Sequence, residues 1–301
     1  MNDNSWLPEL IVRGPLGWIA ATFWGLAWGS FFNVLIVRVP ERESLWKPGS
    51  HCRSCKAPIS WYDNIPVISY LVLRGRCRAC KARVSPRYLL VEVTVAALVL
   101  LVYCLFVVSA AATPIGLRLA RFVVVSLFVG FLVAFTFIDV STRRVPDIIT
   151  GPAIPVCMGF SLLMGHPRWW DGLVGGVGGY LLVGLVTEGY RLITGRDGMG
   201  WGDAKLLAMI GGLMGWQVLL PVLFLSALQG TVIGIPLLCV VRARRPRSAT
   251  DAQDRGDENE HVPLRHAALP FAPFLSLATL EVLLIGDRLR AFFPLFYNGC
   301  V

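Results

Sequence analysis

FLVAFTFIDVSTRRVPD, residues 131–147, passes from an unbroken apolar run to a carboxylate, two arginines and a proline, and ends on a second carboxylate. The apolar part has neither the strict alternation of a half-buried strand nor the breaks of a loop, so it reads as a helix. Its last residues are the wrong ones for a helix end. The C-terminal end of a helix dipole disfavours negative charge, yet Asp139 stands there. A carboxylate with no structural reason for its place, at the end of an apolar helix, is a candidate for chemistry.

The rest of the chain extends this pattern. Of the 301 residues, 55% are hydrophobic and 16% charged, and the mean hydropathy is +0.63. That balance excludes an ordinary soluble domain. Backbone polar groups in lipid must be satisfied internally, so runs of about 20 apolar residues are read as helices. The expected fold is an all-α polytopic membrane protein of about eight transmembrane helices, over roughly 17–37, 89–109, 118–138, 148–165, 172–190, 203–215, 217–241 and 268–286. The sixth is too short to cross upright by itself. The divisions are an N-terminal transmembrane helix over 1–37, a polar loop over 38–88 and a membrane-embedded domain over 89–301, with a charged, disordered linker at about 242–267. MNDNSWLPEL at the N-terminus has no basic segment and no small-residue cleavage site, so no removable signal peptide is expected.

The formal net charge of +9 reflects topology rather than nucleic-acid binding. Eleven Lys and Arg lie in 38–88, five in the loops around 139–147 and 191–205, and six in 242–267, which puts 22 of the 28 on one side. By the positive-inside rule that side is cytoplasmic, and both termini face outward.

Further carboxylates stand at helix starts. Asp147 and Asp171 read first as helix N-caps. GMGWGDAKL, 198–206, places Asp203 at the start of the sixth run, with Gly200 and Gly202 allowing close backbone or substrate approach. Lys205, two residues on, does not share the aspartate's helical face and reads as a snorkelling anchor. Asp139 and Asp203 are 64 residues apart but on one side of the membrane. Brought together, they form a pair in which one carboxylate activates water and the other polarises a carbonyl.

The polar loop contains a short repeat offset by 25 residues, HCRSCKAPIS at 51–60 and RCRACKARVS at 76–85. Cys52, Cys55, Cys77 and Cys80 match a four-thiolate zinc site, structural because no ligand position is left open for water. The cysteines at 104, 157, 239 and 300 read as small hydrophobes.

GMGWGDAKLLA with IDVSTRRVPD upstream resembles the bacterial prepilin peptidases, the type IV leader peptidases of the G-x-G-D aspartic protease class. GSFFNVLIVRVP, CRSCKAPISWYDNIPVISYLVLRGRC, SPRYLLVE and LPFAPFL extend the resemblance, in order, from about residue 28 to 275, and match the long form with a cysteine loop. The resemblance implies that Asp139 and Asp203 are catalytic, with Gly200, Gly202, Asp147 and Lys205 supporting the site. It implies cleavage of a basic leader from type IV prepilins or type II secretion pseudopilins after a glycine, at the cytoplasmic face of the bacterial inner membrane. It further implies methylation of the new N-terminus from S-adenosylmethionine. The expected partners are the precursor helix and membrane lipid, with no nucleic acid. Two rivals stand beside this reading: a proton or cation transporter using the two aspartates as a relay, and a G-x-G-D protease with another substrate.

Overall fold

The computed structural model describes residues 6–143, 145–165, 168–195, 200–234, 236 and 270–289. Among them the regular structure is helical, with two isolated β-bridges and no strand. A short helix α1 (Trp6–Arg13) precedes α2 (Pro15–Arg38). The loop 39–86 holds α3 (Ile68–Val72), and α4 (Arg87–Tyr103) continues into a π turn, Cys104–Val108. The bundle goes on through α5 (Ile115–Thr142), α6 (Asp147–Phe160), α7 (Asp171–Thr194), α8 (Trp201–Met214), α9 (Leu219–Gln229) and α10 (Ala272–Leu289). The linker assigned to 242–267 and the cysteines at 239 and 300 lie outside the described residues.

Among the described residues, six helical segments are long and apolar enough to cross a membrane: Pro15–Arg38, Arg87–Val108, Ile115–Thr142, Asp147–Met164, Asp171–Thr194 and Trp216–Gly234. The other two segments of the expected eight are present as shorter helices, α8 and the apolar Ala272–Gly286 part of α10.

Glycine decides how closely these helices approach. A Cβ on Gly25 would sit 2.9 Å from the Ala96 Cα, and one on Gly29 2.9 Å from the Glu92 Cα, so α2 lies backbone to backbone on α4. The α7–α8 pair is closer still. A Cβ on Gly175 would fall 2.1 Å from the Gly211 carbonyl oxygen, and one on Gly211 2.3 Å from that of Gly175. Small residues at such crossings gain dispersion contacts that lipid does not supply.

With 14 residues α8 is about 21 Å long, well short of the ~30 Å hydrocarbon core. It is enclosed rather than exposed, with 11 of those residues buried. One end is fixed where Asp171 accepts a hydrogen bond from Trp216 Nε1 at 3.1 Å. At the other end Trp201 packs on Tyr180, with ring centroids 5.8 Å apart, and over Gly184. From Gly184, α7 runs on to Thr194, about 15 Å past the start of α8. The short helix therefore sets its first residues back from the end of α7.

Candidate active site and metal-binding loop

Asp139 lies one turn before the end of α5 and is buried, with 6% exposure. Its Oδ2 accepts the backbone N–H of Ala272, the first residue of α10, at 3.2 Å. A helix N-terminus suits an anion, which answers the question raised by a carboxylate at a helix C-terminus. The charge is matched to the start of a helix 133 residues away. Arg143 then closes α5 in the left-handed conformation, its N–H bonded to the Asp139 carbonyl at 2.7 Å.

Asp203 is the third residue of α8, after the N-cap Gly200, and is 9% exposed. Its N–H donates to the Gly200 carbonyl at 3.0 Å. Its carboxylate lies near enough to that of Asp139 for the two charges to interact. The neighbouring glycines fit this convergence. A Cβ on Gly202 would meet the Val145 side chain at 3.0 Å, where the link after α5 crosses the start of α8. One on Gly200 would be 3.6 Å from Asp203 Oδ2, in ordinary contact.

Asp147 and Lys205 have a different role from the one their positions suggest. The N-cap of α6 is Pro146, and Asp147 is the first helical residue. It pairs instead with Lys205 Nζ at 2.5 Å, tying the start of α6 to the start of α8. Lys205 is thus an inter-helix strut rather than a snorkelling anchor. The sequence places both aspartates at the membrane edge. In the bundle Asp203 lies back from the end of α7, which runs on past the start of α8. Glu188 faces its own helix and pairs with Arg191 at 3.4 Å. Sequence reasoning missed the Ala272 N–H, whose only signal is the LPFAPFL motif around it.

The cysteine repeat folds as two equivalent knuckles. In the first, Cys52 N–H bonds to the Ala57 carbonyl at 2.9 Å and Lys56 N–H to the Cys52 carbonyl at 2.9 Å. In the second, Cys77 pairs with Ala82 at 2.9 Å and Lys81 with Cys77 at 3.0 Å. Lys56 and Lys81 both take positive φ, 58° and 60°. All four sulfurs lie within 4.8 Å of one another, and Cys52 and Cys80 are 3.8 Å apart. A tetrahedron with metal–sulfur arms of about 2.3 Å has edges near 3.8 Å, so the set fits one tetrahedral ion.

The thiols differ in acidity. Backbone N–H groups of Cys55 and Ser54 aimed at Cys52 bring it down to about 6. At Cys80 the Ala82 N–H pulls downward, but Cys55, burial, Cys77 and Cys52 together outweigh it and push the thiol up to about 11. Between the knuckles Arg78 donates to both Asp63 oxygens, at 2.7 and 2.6 Å, and its hydrogen bonds hold that carboxyl below its usual range.

Two family models and several curated relatives match the chain. Residues 23–106 match the model of the bacterial peptidase A24 N-terminal domain, and residues 126–235 that of the type IV leader peptidase family. A prepilin leader peptidase/N-methyltransferase of Aeromonas salmonicida is 35% identical over 290 residues, covering 88% of this chain and 89% of the relative. Proteins of the same name from Pseudomonas putida and Myxococcus xanthus are 35% and 32% identical, covering 90% and 93% of this chain and 91% and 94% of their own lengths. No solved structure matches the chain.

Proposed function

The chain belongs to the type IV leader peptidase family, and on that premise we propose that it removes the leader from prepilins or pseudopilins, with Asp139 and Asp203 as the catalytic pair. The observation that carries the assignment is the convergence of these two buried carboxylates from α5 and α8. In the reaction, one carboxylate takes a proton from water as the water oxygen bonds to the scissile carbonyl carbon. The other donates a proton to the carbonyl oxygen. Collapse of the tetrahedral intermediate breaks the C–N bond, and the leaving amine takes up a proton from the pair. A transmembrane relay is less favoured, because the family model and the relatives that cover most of the chain are those of leader peptidases.

The excess of Lys and Arg on one side of the chain supports placing this end of the bundle at the cytoplasmic face of the inner membrane. A substrate with one apolar helix and a basic leader would then present its scissile bond near the same interface. Cys52, Cys55, Cys77 and Cys80 would hold zinc, which as a closed four-thiolate site supplies folding energy to the loop rather than catalysis. The names of the relatives support a second step, methylation of the new N-terminal amine from S-adenosylmethionine. The described residues contain no βαβ unit that would cradle such a donor.

Asp139→Asn and Asp203→Asn test the pair. Each is expected to lower leader removal from a precursor pilin in detergent by at least ~100-fold, with the thermal midpoint retained. Processing at the wild-type rate by either well-folded variant would refute the assignment. Mass measurement of the product's N-terminus, with and without the methyl donor, reads the second step.

A further inference from the structure

Helix α3 carries an apolar face that nothing among the described residues covers. Ile68, Leu71 and Val72 are spaced i, i+3, i+4, and so share one side of the helix. They are 55%, 62% and 70% exposed. The opposite side is occupied, since Ser69 Oγ donates to the Tyr62 carbonyl at 3.0 Å and the Tyr70 hydroxyl to the Val84 carbonyl at 3.4 Å.

The depth of α3 says what covers that face. The N–H of Val67, immediately before α3, donates to Glu92 Oε2 at 2.8 Å. Glu92 is the sixth residue of α4, about 8 Å inside the start of a membrane-spanning segment. Val67 holds φ at 63°, a strained value for a β-branched residue, so this junction is held by its surroundings. The start of α3 is thus pinned below the end of α4, where water is being replaced by lipid. The flanks are those of an interfacial segment. Trp61 and Tyr62 are 80% and 49% exposed on the preceding turn, Arg74 and Arg76 follow, and the 38–88 region has eleven Lys and Arg against three acids. Aromatic rings favour the headgroup level, and basic residues beside it are drawn to anionic lipid.

We propose that α3 is an interfacial anchor whose Ile68–Leu71–Val72 face lies in the headgroup–acyl boundary of the leaflet from which the loop emerges, with Arg74 and Arg76 on anionic headgroups. The metal-binding loop is then held against the bilayer by lipid as well as by its two covalent tethers. The inference does not depend on the peptidase assignment.

A photoreactive benzoylphenylalanine at position 68, 71 or 72 of the full chain tests it, in nanodiscs of phosphatidylcholine with 30% phosphatidylglycerol. The same substitution at Tyr70, on the covered side, is the control, and unchanged thermal midpoints establish folding. Illumination is expected to add a lipid mass to the peptide containing α3 at positions 68, 71 and 72, several-fold more than at 70, and more with phosphatidylglycerol than without. Three results would overturn the proposal: no lipid adduct at any of the three, equal labelling at 70, or crosslinks to a second copy or to precursor pilin in place of lipid.

Discussion

At Asp139 a charge that looks misplaced along the chain is well placed in space. Its helix end repels it, but the N-terminus of α10 donates an N–H to it. Lys205 and Asp147 show the same dependence on context, since each has a local explanation and the fold uses them together. The pair is partly exposed, with side-chain exposures of 24% and 74%, so it contributes less than about 1 kcal/mol to stability. Its value lies in alignment of the starts of α6 and α8. Lys205→Met is expected to leave the thermal midpoint nearly unchanged and to reduce kcat about tenfold or more, because small displacements of reacting groups are costly. The exchanged pair Asp147→Lys with Lys205→Asp should recover part of that loss, measured as a double-mutant cycle.

The thiols of the loop give a pH expectation. Cys52 is lowered to about 6, so its anionic form is present above that value and is lost as the pH falls through it. Metal competes with protons for thiolate sulfur. The apparent zinc affinity should therefore fall on acidification, with a steeper decline below about pH 6 where Cys52 also takes up a proton. Competition against a chromophoric chelator between pH 8 and 5 reads this slope, and Cys52→Ser should remove the extra steepness.

At the scale of elements, the α7–α8 contact sets the depth of the site. Both helices run together because Gly175 and Gly211 leave room for each other's carbonyl oxygens. Gly175→Val would drive a side chain into backbone that cannot move aside. It is expected to cost at least about 1–3 kcal/mol and to lower the thermal midpoint in detergent. The leader-removal rate should fall with it, because α8 carries Asp203. The cysteine knuckles depend less on distant packing. Their backbone hydrogen bonds span nine residues or fewer, so the repeat in the sequence is repeated in the structure. Helix α3 is the opposite case. Five residues give no usable periodicity, and its position depends on Glu92, a residue in another helix.

Across the whole molecule, charge is expected to orient the bundle. With 22 of 28 Lys and Arg on one side, a protease site inserted in the 39–86 loop is expected to be cut only from the cytoplasmic side of spheroplast membranes, and Trp169→Cys to be labelled only from outside. The reverse pattern, read on gels after selective labelling, would invert the topology and separate the aspartates from a cytoplasmic leader.

The amino-acid sequence alone determined the membrane class, the helical segments and the two knuckles, because these follow from local hydropathy and short-range hydrogen bonding. Tertiary structure decided that Asp139 meets the start of α10, that Lys205 reaches Asp147, and that Asp203 sits inside the end of α7. Each of these joins residues far apart in the chain, through helix depths and crossings set by glycine contacts between elements, which a one-dimensional pattern of hydropathy does not encode.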